Sequence, residues 1–236
     1  MLVAAKTDTT LNAETMDTNR VRKPAVSGSF YPSSAKEILS MTKGWLHPVD
    51  AKAAPQAVIV PHAGYVFSGE VAASAFNRIP KRHPYKRIFL LGPSHRVGFS
   101  GASVDTLYAY AETPLGRVAI DIETGKELLK TASFTCRNDA HDREHCLEVQ
   151  LPFLQMMYEE VPPIVPIVIG TQRLEILEDI ADSLEPYFNE ENLFCPGSAF
   201  CQGVFYLYSK KNYEVIDWQQ NTEDAKRNSQ DLICQE

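Results

Sequence analysis

The sequence predicts an α/β fold: a single domain with a largely parallel central sheet flanked by helices. Three observations predict it. Short apolar runs rich in β-branched residues recur along the chain, segments with apolar residues at helical spacing lie between them, and no Pro/Gly/Ser-rich linker divides residues 22–190. Strand alternating with helix calls for parallel strands joined by crossovers in one layered unit.

Taken in order, residues 1–20 are small and polar without a sustained apolar period, and read as a disordered tail in which Met16 is an alternative start. The domain spans 21–194, and 195–236 is a divergent or truncated C-terminal segment. AVIV (57–60) and RIFLL (87–91) are bounded apolar runs that suit buried strands. PIVPIVI (163–169) is a third strand, which Pro166 pushes towards a sheet edge or a strand start. NLF (192–194) opens a weaker fourth. Ser68 is placed to cap a helix reaching about residue 78, and Asp121 or Thr124 one near 122–132. Leu147, Leu151 and Leu154 share one stripe of a helix over 144–158. Leu174, Leu177, Ile180 and Leu184 share another over 174–187.

Composition narrows the function. The chain has 236 residues, 44% hydrophobic and 22% charged, with a formal net charge of -7, enough for one sizeable core. The most basic stretch, KRHPYKR (81–87), is short and reads as a solvated turn, so neither nucleic acid nor an acidic membrane is an expected partner. Five cysteines form no CxxC pair, and no apolar run nears the ~20 residues of a membrane span. Reduced thiols in the cytoplasm are the expectation.

Two strands end alike. AVIV runs into PHAGY and RIFLL into GPSH, each delivering a histidine, His62 or His95, from a proline-containing turn. Ligands of α/β sheets collect beyond the carboxyl ends of the strands, and imidazole there can bind a metal or move a proton near neutral pH. Gly64 and Gly92 allow close approach of backbone and ligand. The residues equally allow His62 and His95 to be loop histidines satisfied by backbone carbonyls. His47 and His83, each before a proline, read as surface turns.

HDREHCLEV (141–149) holds His141, Glu144 and His145 in the order H-x-x-E-H, the inverted zinc-protease signature. That chemistry needs both histidines on one helical face. CRNDAHDREH is too polar for such a helix, and Asp139 or Asp142 suits a cap, which leaves His141 outside and His145 in the first turn. A protease reading therefore fails.

RKPAVSGSFYP (22–32), VPHAGYVFSG (60–69), IFLLGPSH (88–95), TPLG (113–116), EHCLEVQLPFLQ (144–155) and VPIVIG (165–170), in that order, resemble the Memo family, whose prokaryotic members are called AmmeMemoRadiSam system protein B. The resemblance covers about residues 21–194. It implies a fold similar to the catalytic subunit of class III extradiol dioxygenases. It also implies that His62 and His95 bind iron or copper alongside a distant cysteine, and that His145 lines the same cleft as a catalytic acid/base or orienting group. AMMECR-type and radical-SAM proteins of the same system are the partners it implies. Cys146 stands where a serine is usual and reads as a small buried thiol.

After Phe194 the pattern departs from the family. CPGSAFCQGVF (195–205) places Ala199 and Gln202 where an aspartate and a cleft histidine are usual, and Cys234 lacks the spacing of the family's metal-binding cysteine. Two readings follow. One is a histidine-lined, metal-capable cleft suited to iron- or copper-dependent redox chemistry. The other is a non-catalytic adaptor that holds a peptide in the same cleft, or an inactive remnant; Tyr65, Phe67 and Tyr108 could line such a groove, and buried packing explains them equally well.

Overall fold

The computed structural model describes residues 20–47, 54–80, 83–171 and 173–197. In chain order these carry β1 (Val21–Arg22), α1 (Ala35–Met41), α2 (Tyr65–Phe76), β2 (Arg87–Pro93), β3 (Ala102–Val104), β4 (Tyr110–Thr113), β5 (Gly116–Ala119) and α3 (Ile122–Leu128). Then come β6 (Phe134–Thr135), α4 (Asn138–His141), α5 (Leu151–Met157), β7 (Ile164–Ile169), α6 (Leu174–Leu184) and β8 (Asn192–Pro196). The expected tail at 1–20 falls outside the described residues but for Arg20, and so do Met16, Ala199, Gln202 and Cys234.

The main sheet runs β6-β3-β7-β2-β8. β2 pairs in parallel with both β7 and β8, β3 pairs in parallel with β6, and the β3–β7 pair is antiparallel. The expected largely parallel sheet is present. A smaller sheet, β1-β4-β5, is closed by the β4–β5 hairpin, whose turn is the TPLG string. Gly116 ends that turn at φ 127°, a conformation open to glycine and strained for other residues.

Strand alternation builds two cores. Ile88 and Leu90 face a cluster with Tyr65, Phe76, Phe153 and Leu154, whereas Phe89 and Leu91 face one with Leu128, Leu177, Ile180 and Leu184. Covering both faces explains why the strand sequences are continuous apolar runs. Each buried Leu, Ile or Phe contributes roughly 1.5–3 kcal/mol.

Several elements differ from the sequence reading. Residues 57–60 meet β8 only through isolated parallel bridges, Ala57 with Phe194 and Val60 with Gly197, so the run is an edge segment. β7 is an interior strand despite Pro166. The Pro166 carbonyl accepts from Asp105 N–H at 3.1 Å, just beyond the last β3 pair, Val104 with Ile167. The missing proline N–H lies on the same side as that carbonyl, so the one bond forgone is at the point where β3 ends, and the pairing with β2 is kept.

α2 begins at Tyr65 with Gly64 as N-cap, and Ser68 lies inside it. The Tyr65 N–H donates to the Phe30 carbonyl at 2.7 Å, so the 26–30 turn satisfies a helix-end donor and lets the helix start one turn before Ser68. α3 does begin after Asp121, whose side chain accepts from the Thr124 N–H, but it stops at Leu128. The helix expected over 144–158 starts only as a 3₁₀ turn at Glu148–Gln150 before α5. His141 ends α4 and His145 lies outside any helix, the reverse of the expected placement. The cause is Glu144, whose carboxylate accepts the N–H groups of His145 and Cys146 and offers that backbone an alternative to helix.

Candidate metal centre

β2 hands the chain to Ser94 and His95 at the carboxyl edge of the sheet, where the Ser94 N–H donates to the Ile169 carbonyl at the end of β7. The neighbouring edge segment ends at Val60, tied to the Pro196 carbonyl at 3.0 Å, and places His62 beside the same edge. The turn between α4 and the 3₁₀ start of α5 brings His145 to meet them. Ring centroids lie 5.3 Å apart for His62 and His95, 6.0 Å for His62 and His145, and 4.4 Å for His95 and His145. One ligand-capable nitrogen from each lies within 4.8 Å of the others.

These separations suit one transition-metal ion. An ion about 2.0–2.1 Å from three imidazole nitrogens holds ring centroids roughly 4.5–5.3 Å apart. The observed triangle needs a closing shift of under ~1 Å on its longest side, small for side chains in a loop-built site. Neutral imidazole is the ligating form. Burial, then the neighbouring His95 and His145, pushes the His62 pKa down to about 4.

The carboxylate below the rings is almost fully buried, with Glu144 1% exposed. Its Oε2 accepts from the His95 N–H at 2.7 Å. Its Oε1 meets His95 Nδ1 at 2.9 Å, the His145 N–H at 2.9 Å and the Cys146 N–H at 3.2 Å. His145 Nδ1 lies 3.2 Å from the same oxygen. Burial opposes charge on Glu144, but the hydrogen bonds from His145, His95 and Cys146 outweigh it and hold the carboxyl well below the usual carboxylate range.

His95, Glu144 and Cys146 form a second group of close potential ligands. It is a poor metal site. The Cys146 thiol is fully buried, burial drives its pKa well above normal, and Sγ donates to the Pro93 carbonyl at 3.3 Å. A protonated thiol is not a ligand. The expectation of a small buried thiol describes Cys146.

A further network ties the motif at 22–32 to the one at 141–148. Arg22 donates to the His141 and Glu144 carbonyls and pairs with Glu148 at 2.8 Å. Glu148 also accepts the N–H groups of Ala25 and Val26 and the Tyr31 hydroxyl. His141 is not a cleft residue, because its Nε2 meets the carbonyl and hydroxyl of Ser103. His47 is exposed and His83 meets the Glu190 carbonyl, both away from the three rings.

Of the three aromatics left between groove and packing, Tyr65 is a packing residue and Tyr108 is half-buried. Tyr65 is buried with its hydroxyl on the Val149 carbonyl, and the Tyr108 hydroxyl donates to Asp142 at 2.8 Å. Only Phe67 stands out from the surface, 83% exposed, with Val66 beside it at 75%. Two residues that matter to the site were not singled out from sequence. Glu144 was weighed only as part of a protease signature. Gly197 lies so close to His62 that a Cβ there would stand 2.5 Å from His62 Nδ1.

Comparison with known proteins finds a consistent set of relatives. A family model described as "Memo-like protein" matches residues 22–222. A "MEMO1 family protein" of Thermoplasma volcanium is 36% identical over 166 residues, covering 70% of this chain and 61% of that protein. One of Aquifex aeolicus is 38% identical over 176 residues, covering 73% and 64%. One of Nitrosopumilus maritimus is 32% identical over 187 residues, covering 76% and 67%. The chain thus spans about three fifths to two thirds of the length of these relatives.

Proposed function

The chain belongs to the Memo family, and on that premise we propose that it binds a redox-active transition metal, iron or copper, in the cleft of His62, His95 and His145. The observation that carries the reading is the meeting of three imidazoles from three separate loops at one sheet edge, with ligand-capable nitrogens within 4.8 Å. His62 and His95 are the ligands. His145 is the acid/base or orienting group, its ring 4.5 Å from Phe30 and only partly open to solvent. A bound ion with open positions would supply Lewis acidity and one-electron chemistry towards oxygen or a chelating substrate. The chain itself contributes a neutral His62, kept so by burial, and a fixed loop around His95.

A reducing, cytoplasmic setting belongs to the same proposal, supported by the free thiols of Cys136, Cys146 and Cys195. No helix among the described residues is long and apolar enough to cross a membrane. Partnership with AMMECR-type and radical-SAM proteins is carried by the family resemblance.

A second reading, peptide binding, is favoured by the exposure of Val66, Phe67 and Val71 on α2, close after His62 in the chain. Anaerobic thermal unfolding separates the two. Ferrous iron at about 100 times its Kd stabilises a folded binder by about 2.7 kcal/mol, several degrees in Tm, and chelator reverses it. The proposal expects that rise in the parent chain and its loss in His62→Ala. A transition that ignores both iron and copper overturns the metal reading and leaves the peptide-binding or inactive-remnant one.

A further inference from the structure

We propose that Glu144 is a positioning residue that commits His95 to the tautomer protonated at Nδ1, so that Nε2 is the nitrogen offered to the cleft. The inference rests on the metal reading for its consequence, and on geometry alone for the tautomer. A carboxylate only accepts, so the 2.9 Å contact between Glu144 Oε1 and His95 Nδ1 requires the ring to donate. In the neutral ring the proton is therefore on Nδ1, and the lone pair on Nε2. The backbone of the same residue donates to the other oxygen at 2.7 Å, so His95 is gripped at both main chain and ring by one carboxylate.

That grip sets distance and rotation of the ring together, the arrangement by which outer-shell carboxylates orient ligating imidazoles. The carboxylate is itself fixed by the His145 and Cys146 N–H groups. His145 turns its own Nδ1 to within 3.2 Å of the same Oε1. Both rings thus present Nδ1 to a single oxygen, and the Nε2 atoms remain for chemistry. One residue accordingly aligns a proposed ligand and the proposed proton-handling group.

Glu144→Leu discriminates this role from mere loop stabilisation, because it removes the acceptor while keeping much of the side-chain volume. With no carboxylate at Nδ1 the neutral His95 ring is free to carry its proton on Nε2, which removes the lone pair from the cleft. The test is long-range proton–nitrogen NMR of the histidine rings in metal-free protein, at a pH where the rings are neutral, with His95→Ala to assign the signal. The expected result is the Nδ1-protonated form for His95 in the parent chain. In Glu144→Leu the expected result is a shift towards the Nε2-protonated form with an iron affinity about 10- to 100-fold weaker.

An Nε2-protonated His95 in the parent chain overturns the proposal, even if the variant fails to fold. So does a folded Glu144→Leu that keeps both tautomer and affinity. A parent chain that shows the Nδ1 tautomer yet binds no iron contradicts the metal reading instead, and the two failures are told apart.

Discussion

His62 and His141 both remain neutral because burial, the largest cause in each, pushes the pKa down to about 4. The neighbouring histidines add to this for His62, and Arg22 adds to it for His141. In the unfolded chain each titrates near ~6.5. Between those values the unfolded state holds protons that the folded state refuses, so the histidine contribution to stability falls as pH drops from ~6.5 to ~4 and is constant below. Each histidine accounts for about 3 kcal/mol of that loss. Denaturant midpoints measured across this range should therefore fall, and His141→Gln should flatten the fall. An unchanged slope in the variant would contradict the burial argument. His62 and His95 were legible in the sequence because strand patterning ends immediately before them. Glu144 was not, since its meaning lies in contacts to His95, 49 positions away along the chain.

Among the elements, α2 links core and site. Phe76 and Tyr65 stack on Phe153 of α5 at 5.2 and 4.8 Å, and Trp45 lies over Gly69, where a Cβ would come within 2.6 Å of its ring. Gly69→Ala should cost about 1–3 kcal/mol in chemical denaturation despite the better helix propensity of alanine. A neutral or stabilising result would show that the contact is slack. The interior strands and α6 were readable because period and burial coincide in them: Leu177, Ile180 and Leu184 all face the second core cluster. The starts of α2 and α5 were not. They are decided by long-range partners, the Phe30 carbonyl for Tyr65 and the Glu144 carboxylate for the 145–146 backbone, which no local window contains.

At the scale of the molecule, a two-sided sheet gathers its carboxyl-end loops at one edge, and Arg22 with Glu148 clamps the 22–31 segment against the loop that carries His145. The order of the Memo motifs along the chain matches this clamp and cleft, since 22–32 and 144–155 touch through it and 60–69 and 88–95 bring the other two rings. The central claim is that these loops make one metal centre. X-ray absorption of the iron-loaded chain tests it most directly. The account predicts at least two imidazole nitrogens at about 2.0–2.1 Å, with one of them lost in His95→Ala. A shell without imidazole nitrogen would contradict it.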